Sequence, residues 1–210
     1  MGRRKQEPPT IHRQRIADAA QILFTRKGIP AVTMDEISRE AGYSKATLYV
    51  YFKNKEELVS LLVLESMKKL SDAISDALES HSDTRKRYDA ICYGLLQYQR
   101  EFPFYFQLVQ EQINIDFTNT DFFPEEKETY LIGEKINEAL FCFLQEGINC
   151  GELRSDLDLR PTIFILWGTL AGIIQLSANK AAYVQQEMNL SQESFLKQGF
   201  SMIYRSIATR

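Results

Sequence analysis

Residues 44–55, SKATLYVYFKNK, carry hydroxyl and ammonium groups at a spacing suited to contact with a nucleic-acid backbone. On a helix that begins near Lys45, Lys45 and Tyr49 lie four residues apart and share one face. An ammonium group can donate to phosphate, and an exposed tyrosine can donate its hydroxyl while its ring packs on sugar. Leu48 and Phe52 share another face and are expected to point into the core. The segment is therefore predicted to offer one face to a partner and another to its own fold.

A helix-turn-helix is predicted to position that segment. Thr33 and Glu36 form an S/T-x-x-E capping box that opens a short helix. AGY at 41–43 breaks this helix, and Ser44 is a good N-cap for the next one. In a helix-turn-helix, the second helix enters the major groove with its N-terminal residues nearest the bases. Those residues here are Ser44, Lys45, Ala46 and Thr47. Structural helical bundles use the same arrangement, so the charge distribution has to be considered as well.

The charge of the chain is unevenly distributed. Residues 1–55 hold 11 basic and 5 acidic residues, a net charge of +6, whereas the remainder holds 14 and 23, a net charge of −9. This split indicates that only the first part meets a polyanion, the alternative being uneven solubilisation of two surfaces. Within residues 1–10, Arg3, Arg4 and Lys5 form a basic arm. Either this arm contacts DNA or it is disordered, and disorder is the more common behaviour of a terminus.

The remaining chain of this 210-residue protein is predicted to be helical throughout. Apolar residues from Ile16 to Phe24 recur at helical spacing, and no alternating strand pattern of useful length occurs. The predicted fold class is all-α, with an N-terminal three-helix domain over 1–55 that contains the helix-turn-helix and a helical body over 56–210. Caps, prolines and periodicity place further helices at 55–78, 83–101, 103–114, 124–149, 161–180 and 191–208. The longest irregular connection is predicted at 113–124.

Residues 15–63 resemble, without a gap, the tetracycline-repressor (TetR/AcrR-type) family of transcriptional regulators. The matching pattern is F-x-x-x-G, then T-[MV]-x-x-I-[AS], then A-G-[VY]-S-[KR]-[GA]-[TS]-[LI]-Y-x-[YH]-F-x-[NS]-K-E-x-L, and it covers about a quarter of the chain. Farther on, GELRSDLDL at 151–159 resembles the connector before the paired dimerisation helices of the family. WGTLAGII at 167–174 resembles the first helix of that pair.

The resemblance implies a homodimer with a DNA-binding domain over residues 1–55 and an all-α regulatory and dimerisation domain over 56–210. It implies a repressor that a small-molecule ligand releases from a palindromic double-stranded operator. A family-like DNA-binding protein without small-molecule control, acting in chromosome organisation or through a protein partner, is the alternative. Base-edge contacts are implied for Lys45 and, with less support, for Ala46, where the family often has glycine. Phosphate contacts are implied for Thr33, Thr47, Tyr49, Tyr51 and Lys55.

The resemblance also implies a pocket for a small apolar or amphipathic ligand among the middle helices. The body is rich in aromatic residues, although most of these rings must belong to an ordinary core. An acidic residue such as Glu111 could face a cationic ligand or simply lie on a solvated helix face. The candidate ligand-binding residues are Tyr93, Phe102, Phe106, Glu111 and Trp167.

Residues 161–179 carry no charge and approach the length of a membrane span. Their five polar side chains favour a helix buried at a domain or subunit interface instead, and no membrane partner is expected. A monomer would leave these residues with too little polar surface, so a four-helix dimer interface is predicted. The predicted interface residues are Trp167, Gly168, Gly172, Phe195, Phe200 and Ile203.

The sequence does not favour an enzyme. Neither His12 nor His81 lies near a recognisable nucleophile motif, and no phosphate-binding glycine loop occurs. Cys92, Cys142 and Cys150 fit neither a disulfide framework nor zinc-ligand spacing, and are interpreted as buried small hydrophobes. No cofactor and no metal are expected. Because no secretory leader is recognisable, the predicted location is cytoplasmic.

Overall fold

The computed structural model describes residues 7–113 and 122–209. Over these residues the chain is helical without strands, and the all-α prediction is confirmed. An isolated antiparallel bridge joins Leu153 to Ala208. The helices are α1 (Pro9–Lys27), α2 (Met34–Glu40), α3 (Lys45–Tyr51), α4 (Lys55–Glu79), α5 (Thr84–Glu101), α6 (Pro103–Glu111), α7 (Pro124–Asn149), α8 (Leu159–Asn179), α9 (Ala181–Met188) and α10 (Gln192–Ile207).

One of these helices, α9, was not predicted from the sequence. It follows α8 after the single residue Lys180, which gives its N-terminus no side-chain cap. Without a cap or a break of useful length, eight residues carry no signal for a separate helix. The predicted connection at 113–124 falls mostly outside the described residues, as does the basic arm at Arg3, Arg4 and Lys5.

The chain divides into two compact units. The first consists of Met1–Ser66 with Gln107–Thr129, and the second of Met67–Phe106 with Tyr130–Arg210, as far as these ranges are described. α4, α6 and α7 each contribute residues to both units. The predicted domain boundary after residue 55 therefore falls inside the first unit, just within α4.

In the first unit, α1, α2 and α3 pack on one another around a single core. α1 ends at Lys27 because Gly28 adopts a φ of 78°, in the left-handed region that glycine enters without strain. The alanines of α1 let α2 and α3 approach closely, and apolar side chains fill the remaining space. The almost fully buried residues of this core include Ile16, Ala20, Phe24, Ile37, Leu48, Phe52 and Leu58.

In the second unit, α5, α8 and α10 pack against one another, and α9 contacts α8 and α10. Tyr88 of α5 is buried, and its hydroxyl donates to the carbonyl of Phe200 at 2.9 Å. α7 approaches its neighbours closely at Gly147, where a Cβ would lie 2.6 Å from Leu153 Cδ1 and 2.9 Å from Thr84 Cγ2. Glycine is therefore the residue that fits this position.

The three thiols do not share one environment. Cys92 lies in the core, where burial raises the pKa of its thiol to about 12. Cys142 and Cys150 are exposed, so the prediction that all three are buried is wrong for these two. Cys142 lies in the C-terminal half of α7, and Cys150 directly follows the last residue of this helix.

α8 is the one helix among the described residues that is long and apolar enough to cross a bilayer. One of its faces packs into the second unit through residues such as Ile163, Leu170 and Ile174. Its other face exposes Phe164 and Ile165, at 65% and 66% of their surface. A helix packed on protein along one side matches the predicted interface helix better than a membrane span.

Candidate nucleic-acid interface

The second helix of the helix-turn-helix, α3, presents two contrasting faces. Leu48 and Phe52 are fully buried, as their spacing predicts, whereas Tyr49 is 45% exposed and Val50 is 78% exposed. The outward face thus combines a phenol with small apolar groups, which can contact phosphate, sugar or a thymine methyl. The other exposed residues at the start of this helix are Ser44, Lys45 and Ala46.

Both helices of the motif begin with the predicted caps. At α2, Thr33 Oγ1 accepts from the Glu36 amide at 3.3 Å, and the Glu36 carboxylate accepts from the Thr33 amide at 2.9 Å. Lys27 donates to the same carboxylate at 2.8 Å and, together with Thr33, lowers the pKa of Glu36 to about 2. At α3, Ser44 Oγ accepts from the Thr47 amide at 3.0 Å. The predicted contact residues Thr33, Ser44 and Thr47 therefore also fix the geometry of the turn.

Lys45 at the N-terminus of α3 is paired with a carboxylate of its own chain. Its Nζ lies 2.7 Å from Asp35 Oδ1 of α2, and this hydrogen bond raises the pKa of the Lys45 ammonium. Both side chains are more than half exposed, and ion pairs of this kind are weak in water. A phosphate group can therefore take the place of Asp35 when a duplex approaches.

Lys55 has an internal role that the sequence did not reveal. Its ammonium donates to the carbonyls of Ile29 at 2.9 Å, Val32 at 3.0 Å and Pro30 at 3.4 Å. These carbonyls belong to the loop between α1 and α2. Lys55 thus holds the loop that leads into Thr33, and a phosphate contact would require these bonds to be exchanged.

Tyr51, at the end of α3, lies in an aromatic cluster with two residues that were not predicted. Its ring stacks on that of His12 with centroids 5.2 Å apart. His12 Nδ1 lies 2.7 Å from the hydroxyl of Tyr43, and the rings of Tyr43 and Tyr51 are 6.5 Å apart. The cluster joins the start of α1 to the turn of the motif and to the end of its second helix.

Two unpredicted features of the motif differ in whether the sequence contained a signal for them. Arg13 donates to the carbonyl of Tyr51 and to Glu57 Oε1. It lies three residues before Ile16 of the apolar stripe, so helical spacing places it on the face that meets α3 and α4. That signal was available. The pairing of Asp35 with Lys45 joins two helices across a turn, and no local pattern indicates it.

The second unit holds an apolar cavity of about 40 Å³. Of the predicted ligand-binding residues, Trp167 lines this cavity, and the buried Phe106 packs beside it with ring centroids 6.3 Å apart. The other wall residues are aliphatic or aromatic. They include Ile91, Leu95, Leu140, Phe143, Ile163 and Leu170.

The three remaining predicted ligand-binding residues lie elsewhere. Tyr93 is 47% exposed, with its ring edge-on to Phe200. Phe102 packs beneath the ammonium of Lys69, 4.1 Å from the ring centroid. Glu111 is exposed at the end of α6, in the first unit. The structure does not bring these three to the cavity.

The predicted interface residues fall into three groups. Gly168 and Gly172 lie on the exposed side of α8, where an added Cβ would meet no atom within 4 Å. Phe200 lies in the core at 3% exposure and leaves no surface for a partner, because its position on α10 faces α5 and α8. The other three, Trp167, Phe195 and Ile203, are half-buried.

A capped helix-turn-helix with a buried and an exposed face on its second helix, in the basic part of the chain, defines a DNA-binding protein of the helix-turn-helix class. Comparison with known proteins is consistent with this class. Residues 16–62 match the family model described as bacterial regulatory proteins, tetR family. The chain is 25% identical over 176 residues to the fatty acid metabolism regulator protein of Bacillus subtilis (strain 168), covering 79% of this chain and 82% of the relative.

Solved structures show the same fold. A putative tetR family transcription regulator from Shewanella sp. PV-4 has a TM-score of 0.70 at 20% identity, over 95% of this chain and 99% of that one. The transcriptional regulator FadR from Bacillus subtilis, in complex with stearoyl-CoA, has a TM-score of 0.67 at 18% identity, over 91% and 97%. Residues 16–62 therefore carry the helix-turn-helix domain of the tetR family of bacterial regulatory proteins. The relatives of the chain are transcriptional regulators rather than enzymes, in agreement with the prediction from the sequence.

Proposed function

We propose that this regulator is a cytoplasmic homodimeric repressor that binds a palindromic operator through the exposed face of α3 and is released by an apolar or amphipathic small molecule. The observation that carries the proposal is the orientation of α3. Leu48 and Phe52 anchor the helix, while Lys45 and Tyr49 face outward with Val50. The proposed DNA contacts are Lys45, Tyr49 and Val50, with Ala46 close to the bases and Tyr51 near the backbone.

The remaining predicted contact residues already have hydrogen-bond partners within the chain, so we propose fewer direct DNA contacts for them than the family resemblance implies. The hydroxyls of Thr33, Ser44 and Thr47 already take part in hydrogen bonds at the caps, and Thr33 Oγ1 donates to Glu36. Because a phosphate oxygen only accepts, a hydroxyl must donate its proton to contact it, which for Thr33 requires the bond to Glu36 to be exchanged. Lys55 acts through the loop that it holds. We assign it a positioning role in DNA binding in place of a direct phosphate contact.

The exposed strip of α8 supports the dimer. It contains two glycines at which an added Cβ would meet no atom within 4 Å, and it also exposes large apolar side chains such as Phe164 and Ile165. A matching strip on a second copy would bury these groups, and two-fold symmetry would place two α3 helices over half-sites about 34–36 Å apart or a multiple of that. The proposed interface residues are Gly168, Gly172, Trp167, Phe195 and Ile203, together with Phe164 and Ile165.

The apolar cavity supports a ligand of the apolar class. Its lining presents no charged group, so a polar or ionic ligand would lose hydration there without compensation. The cavity volume of about 40 Å³ is far below the roughly 300–1,000 Å³ of pockets that hold small-molecule ligands. A ligand must therefore push side chains such as Trp167 aside. The complex of the Bacillus subtilis relative with stearoyl-CoA makes an acyl chain a good first probe.

DNA binding is tested by selecting duplexes from a random pool with the purified protein and then measuring affinity between about 50 and about 200 mM salt. We expect enrichment of a palindrome whose binding weakens as salt rises. Failure to enrich any duplex at the lowest salt would refute the docking face.

The dimer is tested by sedimentation velocity on Ile165→Glu, with Ile22→Glu as the control. Both isoleucines are exposed, but Ile22 lies on α1, which contributes no residue to the proposed interface. We expect monomers for the first variant and dimers for the second. Dimers for both variants would move the interface elsewhere.

The ligand is tested by thermal shift and operator release with stearoyl-CoA, using free coenzyme A as the control. We expect stabilisation and release by the acylated molecule alone. If neither stearoyl-CoA nor a panel of apolar compounds acts on the protein, the alternative of a DNA-binding protein without small-molecule control is favoured.

A further inference from the structure

Arg13 of α1 lies at the centre of a polar cluster that joins several elements of the first unit. Its Nη1 donates to the carbonyl of Tyr51 and to Glu57 Oε1 at 3.0 Å, and its Nη2 donates to Glu125 Oε1 at 2.6 Å. Its guanidinium also lies over the ring of Phe52, 4.2 Å from the centroid. One side chain thus contacts the end of α3, the start of α4 and the start of α7.

The cluster is shielded enough for these contacts to matter. The side chains of Arg13, Glu57 and Glu125 are 24%, 12% and 15% exposed. Ion pairs on the open surface contribute little, whereas the loss of one partner from a buried pair leaves an uncompensated charge. Removing a member of this cluster should therefore have consequences that the loss of an exposed pair would not have.

Two of the contacts fix the end of the recognition helix. Tyr51 is the last residue of α3, and its carbonyl is one of those that a helix leaves without an internal partner. A cation at this end also favours the helix dipole. Glu57 accepts from the Lys53 amide at 2.7 Å and donates its own amide to Asn54 Oδ1 at 2.9 Å, so it takes part in the cap of α4. Arg13 therefore ties the end of α3 to the start of α4.

The third contact comes from α7. Glu125 is the second residue of this helix, and its Oε2 is buried without a hydrogen-bond partner among the described residues. The other carboxylate oxygen, Oε1, forms the ion pair with Arg13. The adjacent Glu126 contacts other groups, because it accepts from the Phe123 amide at 2.9 Å and from Ser60 Oγ at 3.3 Å. Two neighbouring carboxylates in one helical turn therefore have separate roles.

We propose that Glu125 is a positioning residue for DNA recognition, acting through Arg13 on the C-terminal end of α3. α7 is a single helix that begins with this ion pair and later supplies Leu140, Phe143 and Leu144 to the apolar cavity. The proposal rests on the DNA-binding function proposed above.

The test compares Glu125→Gln with Glu126→Gln in the full-length protein. The two variants remove the same charge from the same turn of α7, but only the first removes the carboxylate that pairs with Arg13. Operator affinity is measured by fluorescence anisotropy, and hydrogen–deuterium exchange of amides 44–52 is measured without DNA. We expect about fivefold or greater weakening of operator binding for E125Q, with faster exchange in α3, and less than about twofold weakening for E126Q.

A second variant, Arg13→Lys, keeps the charge but lacks the fork that reaches two carboxylates at once. It should behave like E125Q, and the double variant should be weaker than either single variant by much less than the product of the two effects. The single variant Arg13→Lys remains informative if E125Q folds poorly, because it keeps the positive charge of the cluster and both carboxylates.

The outcomes separate the two proposals. Wild-type protein that binds no duplex would refute the proposed function. Faster exchange of α3 amides in E125Q but not in E126Q would, even then, establish that Glu125 helps to position α3. Wild-type protein that binds an operator, with E125Q and E126Q alike in affinity and in exchange, would overturn the role of Glu125. Tighter operator binding by E125Q would overturn it as well.

Discussion

Replacing Lys55 by methionine separates two roles that this lysine could have in DNA binding. The family pattern implies a phosphate contact, whereas the structure shows the ammonium donating to three carbonyls of the loop at residues 29–32. Methionine keeps most of the apolar stem and removes only the charge and its hydrogen bonds. The variant therefore leaves the packing of the side chain in place.

The expected decrease in stability follows from the bonds that are removed. Two of them are short, at 2.9 and 3.0 Å, and the third is long at 3.4 Å. Hydrogen bonds to a charged group contribute about 1.5–3 kcal/mol each, but loop carbonyls regain water when the lysine is replaced. We expect the free energy of unfolding to fall by about 2 kcal/mol in total, measured by urea denaturation followed by circular dichroism.

Salt dependence distinguishes the two roles. Each direct phosphate contact contributes about 0.9 to the slope of log affinity against log salt. If Lys55 acts through the loop, operator binding should weaken while the slope stays that of the wild type. Lys53→Met is the control, because Lys53 is exposed and only two residues away. Unchanged stability of the Lys55 variant, with a slope lower by about one per subunit, would refute the positioning role.

Three further substitutions test other parts of the structure. Tyr49→Ala should weaken operator binding roughly tenfold in anisotropy titrations, because it removes a hydrogen bond to a charged phosphate, and should leave the melting temperature unchanged because the ring is exposed. Asp35→Asn should strengthen binding to non-operator duplexes about threefold, since Lys45 loses its internal partner and a negative charge leaves the docking face. Gly147→Ala should lower the free energy of unfolding in urea by about 1–3 kcal/mol, because the new methyl group would overlap Leu153. An unchanged operator affinity for Tyr49→Ala, an unchanged affinity for non-operator duplexes for Asp35→Asn, or an unchanged free energy of unfolding for Gly147→Ala would contradict the corresponding expectation.

Local features of the sequence predicted the helix-turn-helix well. The capping box at Thr33 and Glu36, and the cap at Ser44, involve partners three residues apart and appear as predicted. The spacing of Leu48 and Phe52 correctly gave the buried face of α3. Such features can be predicted because both partners lie within about one helical turn of each other, so the rest of the fold does not have to be known.

Interactions between distant segments could not be predicted in this way. Lys55 donates to carbonyls more than twenty residues earlier in the chain, and Arg13 donates to Glu125, which is 112 positions away. Phe200 shares helical spacing with interface candidates on α10, yet the rotation of that helix buries its ring. Helical periodicity identifies a stripe, but only the packing decides whether the stripe meets the core or a second copy.

The distribution of the thiols gives the chain ready attachment points for spectroscopic probes. Maleimide reagents require thiolate and access, so Cys92, which is buried and has a raised pKa, should stay unmodified in the native state. Cys142 and Cys150 should accept dyes without any engineered cysteine. Native protein handled without a reductant is, by the same reasoning, prone to covalent cross-linking between molecules.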